Sequence, residues 1–201
     1  MDSSKLIYDW NVIDYEINRN PANHPHGVWF DDETLRDGLQ SPSARNPTIN
    51  EKTELLSYME RLGIQKVDLG LPGAGPFHRE HINAMLSHII ENDYQIRPGA
   101  AVRTLMQDIE PLVEMQQQHG IQIQASAFLG TSPIRQYTEG WTMEKLISTM
   151  EKAVSYAVEN DVPVMFVTED TTRSNPEDVK AIYQRAMELG CLLYTSDAAD
   201  D

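Results

Sequence analysis

The sequence predicts an α/β protein, a (β/α)₈ barrel truncated after about five βα units. From Val28 onward, short β-branched or apolar runs alternate with longer segments of helical period, the pattern of repeated βα units around a parallel sheet. No Gly-rich dinucleotide fingerprint follows the first strand, which tells against an open doubly wound sheet. Polar residues instead follow nearly every strand, as they do when the βα loops face one common site.

The elements follow in order. Val28-Trp29-Phe30-Asp31 is the first strand, and Thr48-Ile49-Asn50-Glu51 has capping-box spacing for the first helix. Leu55, Leu56, Met59 and Leu62 recur at helical spacing before Gly63 ends that helix. The second unit pairs a strand from Lys66 to Leu71 with a helix from His78 to Glu91, and the third a strand from Ile96 to Val102 with a helix from Ile109 to His119, closed by Gly120. A strand from Ile121 to Phe128 precedes a long helix from about Thr142 to Glu159, and Val162 to Thr168 is the fifth strand. Ser174-Asn175-Pro176-Glu177 has capping-box spacing for a last helix running to Leu189, with Gly190 as its stop.

These elements divide the chain into an N-terminal arm, residues 1–27, a partial catalytic barrel, residues 28–190, and a tail, residues 191–201. The tail, Cys191-Leu192-Leu193-Tyr194-Thr195-Ser196-Asp197-Ala198-Ala199-Asp200-Asp201, looks like the conceptual translation of an adapter used in DNA library preparation and is expected to be non-native. A closed eight-unit barrel takes about 250 residues, so about three units are expected to be missing.

Composition narrows the function classes. A formal net charge of −15, with Lys and Arg scattered, argues against a nucleic-acid partner, whose phosphates demand a basic surface. No apolar run approaches the roughly 20 residues that span a bilayer, and the N-terminus lacks the layout of a secretory signal. A cytoplasmic protein without membrane contact is the expectation. One cysteine, Cys191, cannot make an internal disulfide.

The densest chemistry lies in Asp32-Glu33-Thr34-Leu35-Arg36-Asp37-Gly38-Leu39-Gln40, where the first strand ends and a barrel presents its catalytic groups. Arg36 supplies a fixed cation, Asp37 a hard oxygen ligand, and Gly38 a tight turn beside them. A solvated turn with a local ion pair would use the same residue types.

The Thr34-Leu35-Arg36-Asp37-Gly38 run followed by Gln40 resembles the signature of a family of TIM-barrel metalloenzymes. That family includes the 2-isopropylmalate, homocitrate and citramalate synthases and hydroxymethylglutaryl-CoA (HMG-CoA) lyase. The resemblance implies that Arg36 stabilises negative charge developing on a carbonyl oxygen, that Asp37 binds a divalent metal, and that Gln40 lies in the substrate pocket.

Further segments share the likeness. Glu169-Asp170-Thr171-Thr172-Arg173 resembles the condensing enzymes' Glu-Asp-x-x-Arg run, which makes Glu169 a second catalytic candidate for acid/base work. Leu69 to Pro76 resembles the Gly-Phe-Pro loop. Ala101-Val102-Arg103-Thr104 places Arg103 as a partner for a substrate carboxylate, and Gly130-Thr131-Ser132-Pro133 places the Thr131 and Ser132 hydroxyls against the keto acid. The chain departs from the pattern at Ser126, where many synthases carry histidine, and at Val167, where serine is usual.

The implied reaction is a Claisen-type condensation of acetyl-CoA with a 2-keto acid, assisted by Mg²⁺, Mn²⁺ or Zn²⁺, in an enzyme that dimerises. The six histidines form no metal-ligand spacing, and the family's His-x-His pair belongs to a seventh strand. The reverse chemistry of an HMG-CoA-type lyase is the alternative, because Arg-Asp-Gly-Leu-Gln occurs in that branch whereas many synthases have Glu where this chain has Leu39. A truncated chain with no catalysis of its own is the alternative of another class.

Overall fold

A computed structural model describes residues 29–191. Among them are five parallel strands in the order β1-β2-β3-β4-β5: β1 Asp31–Asp32, β2 Lys66–Asp68, β3 Arg97–Arg103, β4 Gln124–Gly130 and β5 Val164–Glu169. Sequential neighbours joined by helical crossovers are the arrangement of successive barrel staves. The helices are α1 Ile49–Leu62, α2 Pro76–Glu91, α3 Met106–His119, α4 Pro133–Glu139, α5 Met143–Glu159 and α6 Pro176–Glu188.

Alternation along the strands separates two faces. Ala125, Ala127 and Leu129 of β4 and Val164 and Phe166 of β5 are buried in the core with Leu56, Ile82, Leu86, Ile109, Leu112, Leu146, Met150, Val154 and Ile182 from the helices. Each fully buried large aliphatic side chain contributes about 1.5–3 kcal/mol relative to exposure. Ser126 and Phe128 of β4 and Met165, Val167 and Glu169 of β5 alternate with these and are only half-buried, so they form the concave inner face of a half-barrel. Register places side chains on that face in layers: Asp68, Gly99 and Gln124, then Ala101, Ser126 and Met165, then Arg103, Phe128 and Val167, then Gly130 and Glu169.

The capping box at Thr48 is present, its side chain accepting from Glu51 N while the Glu51 carboxylate accepts from Thr48 N. Gly63 and Gly120 close α1 and α3 in the left-handed conformation.

Several expectations change: the strands expected over Ile121 to Phe128 and Val162 to Thr168 cover Gln124–Gly130 and Val164–Glu169, and the helices expected from His78 and Ile109 begin at Pro76 and Met106. The first strand covers Asp31–Asp32 rather than beginning at Val28, which lies outside the described residues; Phe30 still joins the sheet through its carbonyl, which accepts from Lys66 N at 3.1 Å. The second strand ends at Asp68 instead of Leu71, although Leu69 N still donates to Gly99 O and Gly70 O still accepts from Ala101 N; the Asp68 carboxylate accepts from Gly70 N. Ser174 does not cap α6: Asn175 does, accepting from Glu177 N, while Ser174 is buried and donates to Asp170 O at 3.0 Å. Helix α4, seven residues capped by Ser132, is additional, since a segment of two turns carries too little periodicity to register. Cys191 is buried in the core, its N–H donating to Ala186 O.

Candidate active site

Arg36, Asp37, Gln40, Arg103, Thr131, Ser132 and Glu169 sit at the C-terminal ends of the strands or in the loops that follow them, as the barrel architecture requires. They divide into two groups, one over β1 and β2 and one over β3 to β5.

Over β1, the backbone leaves the sheet through a tight turn in which Arg36 N and Gly38 N both donate to Glu33 O, and a 3-10 turn follows over Asp37–Gln40. This brings the Arg36 guanidinium between three carboxylates. Its Nε donates to Glu33 Oε2 at 2.8 Å, one terminal nitrogen donates to Asp37 Oδ1 at 3.2 Å, and Asp68 Oδ2 stands 3.7 Å from Nε. Arg36 is therefore held in one orientation rather than waving in solvent. Asp37 is mostly exposed, with 62% of its side chain open to solvent, so a ligand can reach its free oxygen. Gln40 and Arg36 border a cavity of about 240 Å³ behind the loop.

Asp68, the last residue of β2, was missed in the sequence. It is 3% exposed. Oδ1 accepts from Gly70 N at 2.8 Å, and Oδ2 is buried with no hydrogen-bond partner. Burial, then the nearby Glu33 charge, pushes its carboxyl up to about 7, against the pull of Gly70 N–H and Arg36. A charged residue inside the apolar run Val67-Asp68-Leu69, at a strand end, is the signal in the sequence that marks it.

Over β3 to β5, Arg103, Arg135 and Glu169 line a second cavity of about 270 Å³ with Phe128, Gln136 and Trp141. Arg103 makes a two-pronged ion pair, Nε and a terminal nitrogen each 2.7 Å from an oxygen of the fully buried Asp108. The guanidinium is thus committed to an internal carboxylate, although its side chain remains 42% exposed at the cavity wall. Glu169 is part-exposed on the inner face, 3.8 Å from Arg135 of α4. Thr131 and Ser132 are both fully buried: the Thr131 hydroxyl is 2.8 Å from that of Ser174, and Ser132 accepts from Arg135 N as the cap of α4. Here their hydroxyls organise the β4–α4 loop. The two departures from the family pattern, Ser126 and Val167, both lie on the inner face below this cavity.

Among the described residues no group of three or more His, Cys, Asp or Glu side chains could hold a metal ion. Asp37 is a single donor and does not make a site by itself. Of the six histidines, His24 and His26 lie outside the described residues. No helix among the described residues is long and apolar enough to cross a membrane.

Comparison with known families matches residues 28–198 to the HMGL-like family. The chain belongs to that family. A 2-isopropylmalate synthase of Lactococcus lactis subsp. cremoris is 31% identical over 166 residues, covering 81% of this chain and 31% of that protein. A homocitrate synthase of Methanocaldococcus jannaschii is 26% identical over 173 residues, covering 85% of this chain and 40% of that protein. The HMG-CoA lyase of Brucella melitensis superposes with a TM-score of 0.60 at 16% identity, over 82% of this chain and 58% of the lyase, which establishes the shared fold. The HMGL-like chain described here spans about 30% of the length of the 2-isopropylmalate synthases it matches.

Proposed function

We propose that this chain carries the first part of the active site of an acyltransferase that condenses acetyl-CoA with a 2-keto acid, as in a 2-isopropylmalate synthase. The observation that supports it most is the fixing of Arg36 between Glu33, Asp37 and Asp68 at the mouth of β1, in a family where synthases are among the relatives.

The reaction moves one proton and forms one carbon–carbon bond before a hydrolysis. A carboxylate takes the α-proton of the thioester, and the enolate carbon bonds to the keto carbon. The keto oxygen receives the displaced electron pair as an alkoxide, which then takes a proton. Water cleaves the thioester, releasing CoA and making the sequence irreversible. Arg36 would donate to the alkoxide as its charge develops, and a donor already held in place loses little orientational freedom in that step. Asp68, with its carboxyl pushed to about 7, is suited to exchange a proton near neutrality. Glu169 is the second carboxylate of the reading, four strands away across the sheet. Neighbouring strands are about 4.8 Å apart, so β1 and β5 are roughly 19 Å apart along the sheet, and closure of a barrel is what would turn them toward one centre. A divalent cation would polarise the keto carbonyl when bound, and Asp37, the most exposed of the three carboxylates around Arg36, is the residue that would hold it.

The lyase reading runs the same bond in reverse, and Leu39, where synthases commonly have Glu, favours it. Two assays on the full-length protein, CoA release and HMG-CoA cleavage, separate them. CoA release from acetyl-CoA is measured with 2-ketoisovalerate, 2-ketoglutarate and pyruvate, with and without Mg²⁺ or Mn²⁺. Metal-dependent release with one acceptor is the expected result; no release with any of them, together with cleavage of HMG-CoA, would replace the synthase by the lyase.

A further inference from the structure

Gly130 ends β4, and the parallel register sets it beside Glu169, the last residue of β5. A Cβ at Gly130 would lie 2.7 Å from Cγ of Arg135 and 3.3 Å from its Cδ and Nε. The missing side chain therefore leaves the room in which the stem of Arg135 crosses the end of β4. From there the guanidinium reaches the neighbouring strand. A terminal nitrogen stands 3.8 Å from Glu169 Oε2, while Nε is 3.7 Å from Glu139, one turn along α4. Arg103, the other arginine of this cavity, is clamped by Asp108 and does not share the contact.

The backbone on both sides of the contact is fixed by buried hydroxyls. Ser132 accepts from the N–H of Arg135 and so sets where that side chain leaves α4. The Thr131 hydroxyl is 2.8 Å from that of Ser174, which donates to Asp170 O at 3.0 Å, and both residues are fully buried. The loop that carries Arg135 is thus tied to the residue after Glu169. That residue, Asp170, stands in the left-handed region at φ 53°, a conformation that costs a non-glycine residue energy. All of this order serves an ion pair open to solvent, and such a pair adds little to the stability of a fold. What it can determine is direction: a glutamate at a strand end has several staggered rotamers, and a fixed cation on one side selects among them. We propose that Arg135 is a positioning residue that holds the Glu169 carboxylate over the inner face, with Gly130 providing the passage through which it reaches. The proposal rests on the reading of Glu169 as the second carboxylate of the reaction.

The test is a double-variant cycle on the full-length protein, with kcat and KM measured in whichever direction the unaltered enzyme runs, condensation or cleavage. The variants are Arg135→Gln, Arg135→Lys, Glu169→Gln, and Arg135→Gln combined with Glu169→Gln. Arg135→Gln is expected to lower kcat about tenfold with KM within about threefold of the unaltered value, and Arg135→Lys to recover part of the loss. Once Glu169 is replaced, Arg135→Gln should cost nothing further, because its effect passes through that carboxylate. The Arg135 side chain is 51% exposed, so Arg135→Gln should fold and melt with the unaltered protein. An unchanged kcat in Arg135→Gln, a loss that appears in KM instead, or an equal loss in both backgrounds would each overturn the proposal. An unaltered enzyme that runs neither reaction removes the functional reading and this inference with it; an active enzyme indifferent to Arg135→Gln removes this inference alone.

Discussion

Asp68 Oδ2 lies 3.7 Å from Arg36 Nε and accepts no hydrogen bond, although it is buried. The pair is close enough for attraction and too far for a bond, so the Asp68 carboxylate is only half-compensated. A site of this kind is unfavourable to the fold and useful to chemistry.

The first prediction is a pH dependence of stability. The Asp68 carboxyl stands at about 7 when folded against an ordinary 3.8. The folded chain therefore holds this proton more tightly than the unfolded one, and stability from this group falls as pH rises from 3.8 to about 7. Below that window there is no penalty; above it the penalty is constant, at most roughly 4 kcal/mol. Asp68→Asn should flatten this slope. Urea melts of both forms between pH 4.5 and 8 check it: parallel slopes would show that Asp68 does not titrate as described.

The second concerns Gly73. A Cβ placed there would lie 2.0 Å from Asp108 Oδ1 and 2.2 Å from its Cγ, so the absence of a side chain lets the Asp108 carboxylate pack against the 3-10 turn Pro72–Ala74. Gly73→Ala should displace Asp108 and loosen its grip on Arg103, lowering stability by about 1–3 kcal/mol. Thermal denaturation measures this; an unchanged melting temperature would mean the turn yields without strain.

The third follows from the same clamp. Arg103→Ala would leave the Asp108 carboxylate buried with only the Arg103 backbone N–H donating to it. A loss of roughly 1–3 kcal/mol is expected, with Arg103→Lys recovering part of it because one of two prongs survives. If the substitution leaves stability untouched, the ion pair is dispensable to the fold.

The fourth concerns Cys191, buried at 8% exposure with its thiol pushed up to about 12 by that burial. A thiol reagent at pH 8 should leave it unmodified in the folded chain and modify it fully in denaturant. Fast labelling without denaturant would show that Cys191 does not pack as described.

The α/β alternation and the site at β1 were legible in the sequence because both rest on local signals. The Thr48 to Glu51 spacing dictates a capping box, and the Arg36-Asp37-Gly38 run places cation and carboxylate side by side whatever surrounds them. What escaped depended on contacts between distant segments. Asp68 becomes a feature of the site only when β2 packs beside the Arg36 loop, 32 positions earlier in number. Asp108 reads as an ordinary first-turn acid until it is seen beneath Arg103 and against Gly73. Ser174 has the spacing of a cap, yet its hydroxyl bonds to Asp170 O and Thr131; a choice between two hydroxyl geometries of similar strength is made by tertiary packing.

The measurement that bears most directly on the account is the turnover of the full-length protein with Arg36→Ala, using the keto acid that supports CoA release. An arginine held by Glu33 and Asp37 to meet a developing alkoxide should, when removed, lower kcat by about 10²–10³-fold with little change in KM for acetyl-CoA. A kcat within a few-fold of the unaltered enzyme would contradict the account and leave Arg36 as the centre of a structural ion-pair cluster.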